Sequence, residues 1–389
     1  MNQSNSNLSR RQVVAAIGAF GGRCHGLDRG ARRSRHHRHH RNQRHPERPE
    51  RAPQRAVGTH LSACRQGQEL ALEQINKRGG VHGRKVRIKV LDDAYDPKKA
   101  VENLNRLIDD DKVVALYGLA STGTVCSVLP ILAEKKVPLV SLYTGSPTLR
   151  VKHHPYFFTT VGSYRDEVAA MIRNPVTLQR TQIAVLWGKS PFGQLMLPVV
   201  EELAKELGAT IVAKASLEPD GSDAVAAAQT LGAAKPQGVI FIAFGPSMIP
   251  FVRAARQHIG APVYAVSIAN SIAIIAALGD DARGLAFTQL IPYSWRVTTP
   301  LGRDFNAAME AANIPLDYDH FFGTLNMRVL LEGMRRGGKN VSSQSIVTGM
   351  QSMSKTDLGG YVVDFSPTNH LGSKFVDITI VGPGGRFIG

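Results

Sequence analysis

The sequence runs to 389 residues, 43% of them apolar, with a formal net charge of +16, which is enough chain for two domains with separate cores. Thirteen Arg in residues 1–56, set against Asp28, Glu47 and Glu50, carry ten of those charges. The remaining residues therefore have the mild balance of an ordinary globular protein and give no argument for a nucleic-acid partner. No apolar run approaches the roughly 18–20 residues of a membrane span. Cys24, Cys64 and Cys126 lack the spacing of a metal knuckle or redox motif, leaving either one disulfide or free thiols.

Ser9-Arg10-Arg11-Gln12-Val13-Val14, followed by Ala15 to Phe20, has the form of a twin-arginine export signal. The apolar segment stops at Gly21-Gly22-Arg23 with no small-residue cleavage site, so residues 1–22 read as a truncated signal. Residues 23–56 are dominated by Arg, His, Pro, Gln and Glu. A disordered basic tail, an RNA-binding arm and a His-rich metal tract are three readings of such a composition. A fourth ranks above them. Out-of-frame reading of GC-rich codons for Ala, Gly, Ser and Thr yields these residues, as a frameshift entering near Gly22 and leaving near Val57 would produce.

From Ser62 onward helix and strand alternate in the manner of parallel sheets with helices on their faces. A helix over Ser62–Lys77 stops at Gly79-Gly80, which suits a left-handed cap. Val86–Leu91 is a strand, and Asp96-Pro97 opens a helix whose buried face is Ala100, Val101, Leu104, Leu107 and Ile108. The strand Val113–Tyr117 leads into the polar turn Ala120–Thr124, a helix runs from Thr124 to Lys136, and the strand Pro138–Leu142 ends at a second polar turn, Tyr143–Ser146. Further strands are expected at Ile183–Trp187, Thr210–Ala215, Val239–Phe244, Val263–Ser267 and Phe287–Leu290. Helices are expected near Leu301–Ala312, Phe321–Arg336 and Ser342–Met353, before two last strands at Tyr361–Phe365 and Phe375–Val381.

The catalytic inventory is thin. Gly188-Lys189-Ser190 matches the tail of a P-loop, but Ile183 occupies the position of the required first glycine and Pro191 is expected to interrupt the following helix. There is no G-x-S-x-G elbow, H-E-x-x-H pair or G-x-G-x-x-G after a strand. His153-His154 and Asp317-Tyr318-Asp319-His320 fall in polar sequence, where solvated side chains are expected rather than a metal site. Polar and aromatic residues do collect at strand C-termini: Ser121, Thr122, Tyr143, Thr144, Phe192 and Ser267 to Ser271. At that edge of an open α/β sheet, unpaired helix N–H groups favour anions, and neighbouring hydroxyls make a carboxylate cradle. Taken singly, Ser121, Thr122 and Thr144 are simple helix caps, but their recurrence at successive strand ends favours a binding site.

Three stretches carry a resemblance. EQINKRGGVHGR at Glu73–Arg84, Asp92-Asp93 followed by Asp96-Pro97 and Ala100, and Gly359-Gly360-Tyr361 with Asp364-Phe365 are similar to the type I periplasmic solute-binding proteins of ABC transporters, in their leucine/isoleucine/valine-binding branch. The resemblance covers Val57–Gly389. It implies an α/β fold of two doubly wound Rossmann-like lobes joined by a three-crossing hinge: residues 57–163 with 289–360, and 164–288 with 361–389. It implies an exported receptor, periplasmic and not an enzyme, that needs no cofactor and no metal. Such a receptor closes on an amino acid, carboxylate or amide and presents it to an ABC permease and its ATPase subunits. A cytoplasmic ligand-sensing regulator on the same fold is the alternative. The implied ligand-binding residues are Ser121, Thr122, Leu142, Tyr143, Thr144, Phe192 and Asn270. Two departures stand out. The family's first strand belongs where the Arg/His tract lies, so an empty central position in the first sheet is expected. The acid that holds a ligand ammonium is not found in Ala265–Ser271, which reads AVSIANS.

Overall fold

The computed structural model describes residues 11–17, 51–270 and 272–388, with side chains from residue 60 onward. β1 (Arg11–Ile17), α1 (Arg51–Lys77), β2 (Lys85–Leu91), α2 (Pro97–Asp109), β3 (Ala115–Leu119), α3 (Thr122–Lys135), β4 (Leu139–Leu142) and β5 (Phe157–Phe158) build the first layer system. Its five strands are all parallel, in the order β2-β1-β3-β4-β5.

The central position of this sheet is filled, contrary to expectation. Arg11–Ile17 pairs residue for residue with Lys85–Leu91, and Val14–Ala16 pairs with Ala115–Tyr117. The sequence RQVVAAI has the run of apolar, partly β-branched residues that a strand flanked on both sides requires. The same residues carry the export-signal pattern, so one segment answers to two descriptions. α1 also begins at Arg51, well before Ser62, so residues 51–56 are helical where an irregular tail was expected. Residues 1–10 and 18–50, on which the remaining signal, tail and frameshift readings rest, lie outside the described residues.

The second sheet is fed by α4 (Tyr164–Thr177), β6 (Gln182–Gly188), α5 (Pro191–Glu206), β7 (Thr210–Leu217), α6 (Ala224–Ala233), β8 (Gly238–Ile242), α7 (Met248–His258), β9 (Val263–Ala265), α8 (Ile272–Leu278) and β10 (Ala286–Gln289). The chain then returns to the first sheet's side as α9 (Pro300–Ala312), α10 (Tyr318–Arg336), α11 (Ser343–Gln351) and the hairpin β11 (Thr356–Asp357) and β12 (Val362–Val363). It ends in β13 (Asp377–Val381) and β14 (Phe387–Ile388). The second sheet has the order β14-β13-β10-β9-β8-β6-β7, and only β13 runs against the others, pairing antiparallel with both β10 and β14. Three segments thus pass between the sheets: one between β5 and α4, one between β10 and α9, and one after β12. Gly372 donates to Thr159 O at 2.8 Å, so the stretch following β12 stays with the first sheet before crossing.

Local signals explain most boundaries. Asp96 caps α2 by accepting from Lys98 N at 2.8 Å, and Pro97 follows at the first helical position. Gly79 and Gly80 end α1 with φ of +99° and +77°. Pro191 opens α5 instead of interrupting it, because a first-turn residue has no intrahelical use for its N–H. Lys189 is exposed and paired with Glu218 at 2.6 Å, so no phosphate loop forms there. One apolar core runs continuously from α1 and α10 through α4 to the second sheet, and a smaller one lies between β3, β4, α2 and α3.

Candidate functional site

The C-terminal ends of the parallel strands in both sheets face a shared cleft of about 830 Å³. On the first sheet's side, β3 ends in Ala120 and Ser121, and Ser121 caps α3, its hydroxyl 3.5 Å from Thr124 N. Thr122 and Gly123, the first residues of α3, line the cleft, and the Thr122 hydroxyl lies 3.4 Å from that of Thr144. Thr144 is held by its neighbours: Ser146 N donates to its hydroxyl at 3.3 Å, and Arg150 lies over its carbonyl and that of Ser146. Burial draws the Arg150 guanidinium down to about 10, against nearby Tyr164, Asp166 and Glu167. Tyr95 enters from the turn after β2, where Ala94 and Tyr95 both take left-handed φ of 49° and 60°. Asp92 and Asp93 stabilise that turn by accepting from Ala94 N and Tyr95 N.

The opposite wall is aromatic and aliphatic. Tyr164, the first residue of α4, packs edge-on to Phe192 with centroids 5.1 Å apart, and Phe192 packs on Phe244 at 5.4 Å. Tyr164 also closes the cleft floor against the first sheet. Its N–H donates to Gly145 O at 2.8 Å, and a Cβ on Gly145 would lie 2.7 Å from its ring. Beside this cluster, Ile268 and Asn270 project from the turn after β9. Glu167 supports that turn from beneath. It is fully buried and accepts from Ser267 N at 2.6 Å, Ser267 Oγ at 3.0 Å and the Thr288 hydroxyl. Burial raises its pKa above the usual carboxylate range, and these donors oppose the rise.

Six of the seven sequence-derived residues, Ser121, Thr122, Tyr143, Thr144, Phe192 and Asn270, line this cleft. Leu142 lies behind it, buried, on a small adjoining cavity of about 50 Å³ that shares Tyr143, Thr144 and Asn270 with the main one. Sequence reading missed Tyr164, Phe244, Glu167 and His60. It also placed Asp317–His320 in solvated loop. In the structure Asp317 caps α10, and Asp317 and His320 are both buried and joined to each other at 2.7 Å. The available signal is Asp317 as a cap residue ahead of the i, i+4 series Phe321, Leu325 and Val329, which extends the helix one turn before Phe321.

Asp317 and Asp319 therefore bring carboxylates to the cleft from an element other than Ala265–Ser271. Each is engaged: Asp317 with His320, and Asp319 with His60 Nδ1 at 2.7 Å. Burial disfavours protonation of His60, but the Asp319 carboxylate outweighs it and holds the imidazole pKa well above its ordinary value. Cys64, one turn further along α1, is fully buried and pushed up to about 11 by that burial. Cys64 and Cys126 are both free thiols. Among the described residues no helix is long and apolar enough to cross a membrane.

The family model "Periplasmic binding protein" matches residues 56–382. The chain belongs to the periplasmic binding protein family. Among curated relatives, it is 26% identical over 321 residues to "Leu/Ile/Val-binding protein homolog 3" of Brucella melitensis, covering 81% of this chain and 85% of that protein. It is 27% identical to the "Leu/Ile/Val-binding protein" of Escherichia coli K12, over 57% of this chain and 61% of that protein. Among solved structures, the extracellular ligand-binding receptor of Verminephrobacter eiseniae matches with a TM-score of 0.80 at 23% identity, over 97% and 99% of the two chains. The branched-chain amino acid ABC transporter protein of Thermus thermophilus, solved with bound valine, matches with a TM-score of 0.76 at 18% identity, over 98% and 95%. These likenesses confirm the two-lobed α/β fold of type I periplasmic binding proteins. The family is one of solute-binding proteins.

Proposed function

We propose that this chain is the extracytoplasmic solute-binding component of an ABC importer, taking a branched-chain amino acid or a related small carboxylate or amide. The observation that carries this reading is the opposition of two unlike walls across the cleft. Ser121, Thr122 and Thr144 with the α3 N-terminus suit a carboxylate or amide oxygen, and Tyr164, Phe192 and Phe244 suit an apolar side chain. The names of the curated relatives point to the same ligand class.

The first lobe is residues 57–163 with 289–372 and β1, and the second is 164–288 with 373–388; the last boundary moves from 360 to 372 because β12 pairs with β11 and Gly372 N still donates to Thr159 O. A ligand that touches both walls only when they approach shifts the population toward the closed form. The closed form is what the permease and its ATPase subunits receive. The role is binding and delivery in the periplasm rather than turnover. In support, among the described residues the Cys-His-Asp grouping at the cleft edge has its sulfur fully buried, and that burial pushes the thiol up to about 11, the reverse of what an activated nucleophile needs. No observation favours the regulator.

Titration calorimetry with leucine, isoleucine, valine, their deaminated analogues and the corresponding amides tests the proposal. Saturable 1:1 binding to any of these supports it, and leucine binding without its deaminated analogue would assign an ammonium contact to the cleft acids. Failure of the whole panel to bind folded protein would overturn the ligand class. Secretion of the full chain by a Gram-negative host tests the compartment.

A further inference from the structure

One cluster at the edge of the cleft has a chemistry that solute binding does not use. His60 and Cys64 are four residues apart on α1, which places them on one helix face in the spacing that helical metal-ligand pairs adopt. His60 Nε2 lies 4.0 Å from Cys64 Sγ, and His60 Nδ1 lies 2.7 Å from Asp319 Oδ1. One ligand atom from each of the three falls within 4.8 Å of the others, and among the described residues this is the only such group of three.

The arrangement is held rigidly because α1 and α10 touch backbone to backbone. A Cβ on Gly67 would lie 2.0 Å from His320 O, and one on Gly323 would lie 1.8 Å from Cys64 O, so only glycine permits the approach. Thr324 Oγ1 donates to Gly67 O at 2.9 Å, and His320 Nε2 lies 2.8 Å from Gln66 Oε1. This docking sets the register that brings Asp319, in the first turn of α10, opposite His60. The three donors are therefore positioned by the helix pair before anything binds.

We propose that His60, Cys64 and Asp319 bind a divalent transition-metal ion of borderline softness, of the Zn2+ or Co2+ kind. A thiolate and an imidazole favour such an ion over Mg2+ or Ca2+, which take oxygen ligands. Cys64 lies beneath, while His60 and Asp319 are part-exposed and line the cleft, so the remaining coordination positions face the cleft. Binding releases the Cys64 thiol proton to solvent, and the thiolate and imidazole supply electron pairs to the ion with no change of oxidation state. Asp319 either joins as a third ligand or stays on Nδ1 and orients the ring.

The test is Co2+ titration of the full-length protein carrying Cys24→Ser and Cys126→Ser, so that Cys64 is the only thiol. The expected result is a thiolate-to-cobalt charge-transfer band in the near ultraviolet that saturates at one equivalent, with d–d bands in the visible. Cobalt held by the histidines of residues 25–45 gives no thiolate band and is distinguished by that. Cys64→Ser is expected to abolish the band with the circular dichroism spectrum retained, and Asp319→Asn to weaken Co2+ binding about 10- to 100-fold. Absence of the band in the folded Cys64-only protein overturns the proposal, and that measurement stands even where Cys64→Ser fails to fold. Undiminished affinity in both His60→Gln and Asp319→Asn overturns it as well. Neither readout depends on which solute the cleft takes.

Discussion

Glu167 accepts hydrogen bonds from both the backbone N–H and the hydroxyl of Ser267, at 2.6 and 3.0 Å. A buried carboxylate on α4 thereby holds the turn that presents Ile268 and Asn270 to the cleft. Glu167→Ala leaves those donors unpaired in the core and is expected to cost about 2–3 kcal/mol of stability, together with solute affinity as the turn loosens. Because burial raises the Glu167 pKa above its unfolded value, its contribution is present in full below the unfolded value near 4.3 and shrinks as pH rises above it. Glu167→Gln keeps an acceptor for Ser267 N without a charge. Urea denaturation of the two proteins from pH 4 upward should show the stability difference moving in favour of Gln as pH rises; a pH-independent difference contradicts the assignment.

His370 gives the opposite sign. It stacks on Phe158 with centroids 3.8 Å apart, its Nδ1 lies 2.9 Å from His154 O, and burial lowers its pKa to about 4 from the ordinary 6.5. The folded state therefore favours the neutral ring. Its stabilisation is complete above pH 6.5 and is lost as pH falls toward 4, an effect of about 2–3 kcal/mol. His370→Gln should flatten that part of the pH–stability curve, measured by urea denaturation between pH 7 and pH 4.

For the cradle, Ser121→Ala and Thr144→Ala each remove one hydroxyl from the polar wall. Each should weaken the solute found by calorimetry about tenfold, a loss of roughly 1–1.5 kcal/mol. Destabilisation should be no more than about 1 kcal/mol, the scale of a lost helix cap. Full affinity in the double variant would move the carboxylate contact elsewhere.

The central strand makes a separate prediction. Val14→Pro removes a ladder N–H from a strand paired on both sides and should cost about 3 kcal/mol or more, seen as a lowered midpoint in thermal unfolding. If Arg11–Ile17 acts only as a cleaved address, the same change leaves the purified, exported protein's midpoint where it was, and its N-terminal sequence begins beyond Ile17.

Much of the chain from Ser62 onward is legible because apolar β-branched runs such as Ile183–Trp187 and Val239–Ile242 are bounded by glycine and proline, and because Asp96, Ser121 and Ser190 sit where caps belong. The polar wall could be read from hydroxyls recurring after strands. The aromatic wall could not, since Tyr164 and Phe244 come together through sheet order rather than through any local pattern. His60 and Asp319 meet across 259 residues, a contact that helix periodicity cannot announce. β1 is hidden for another reason: its seven residues satisfy two patterns at once, that of an export address and that of a strand paired on both sides.

The position of β1 also has a kinetic consequence. Arg11 pairs with Lys85 and Val14 with Ala115, partners about 70 and 100 residues away, so the ladder at the middle of the first sheet closes only after long loops have been ordered. Until it does, β2 and β3 each present an open backbone edge toward the gap between them, an invitation to pairing with other chains. Refolding yield at rising protein concentration should therefore be limited by this insertion rather than by the second sheet, whose β6 and β8 start only about 55 residues apart along the chain.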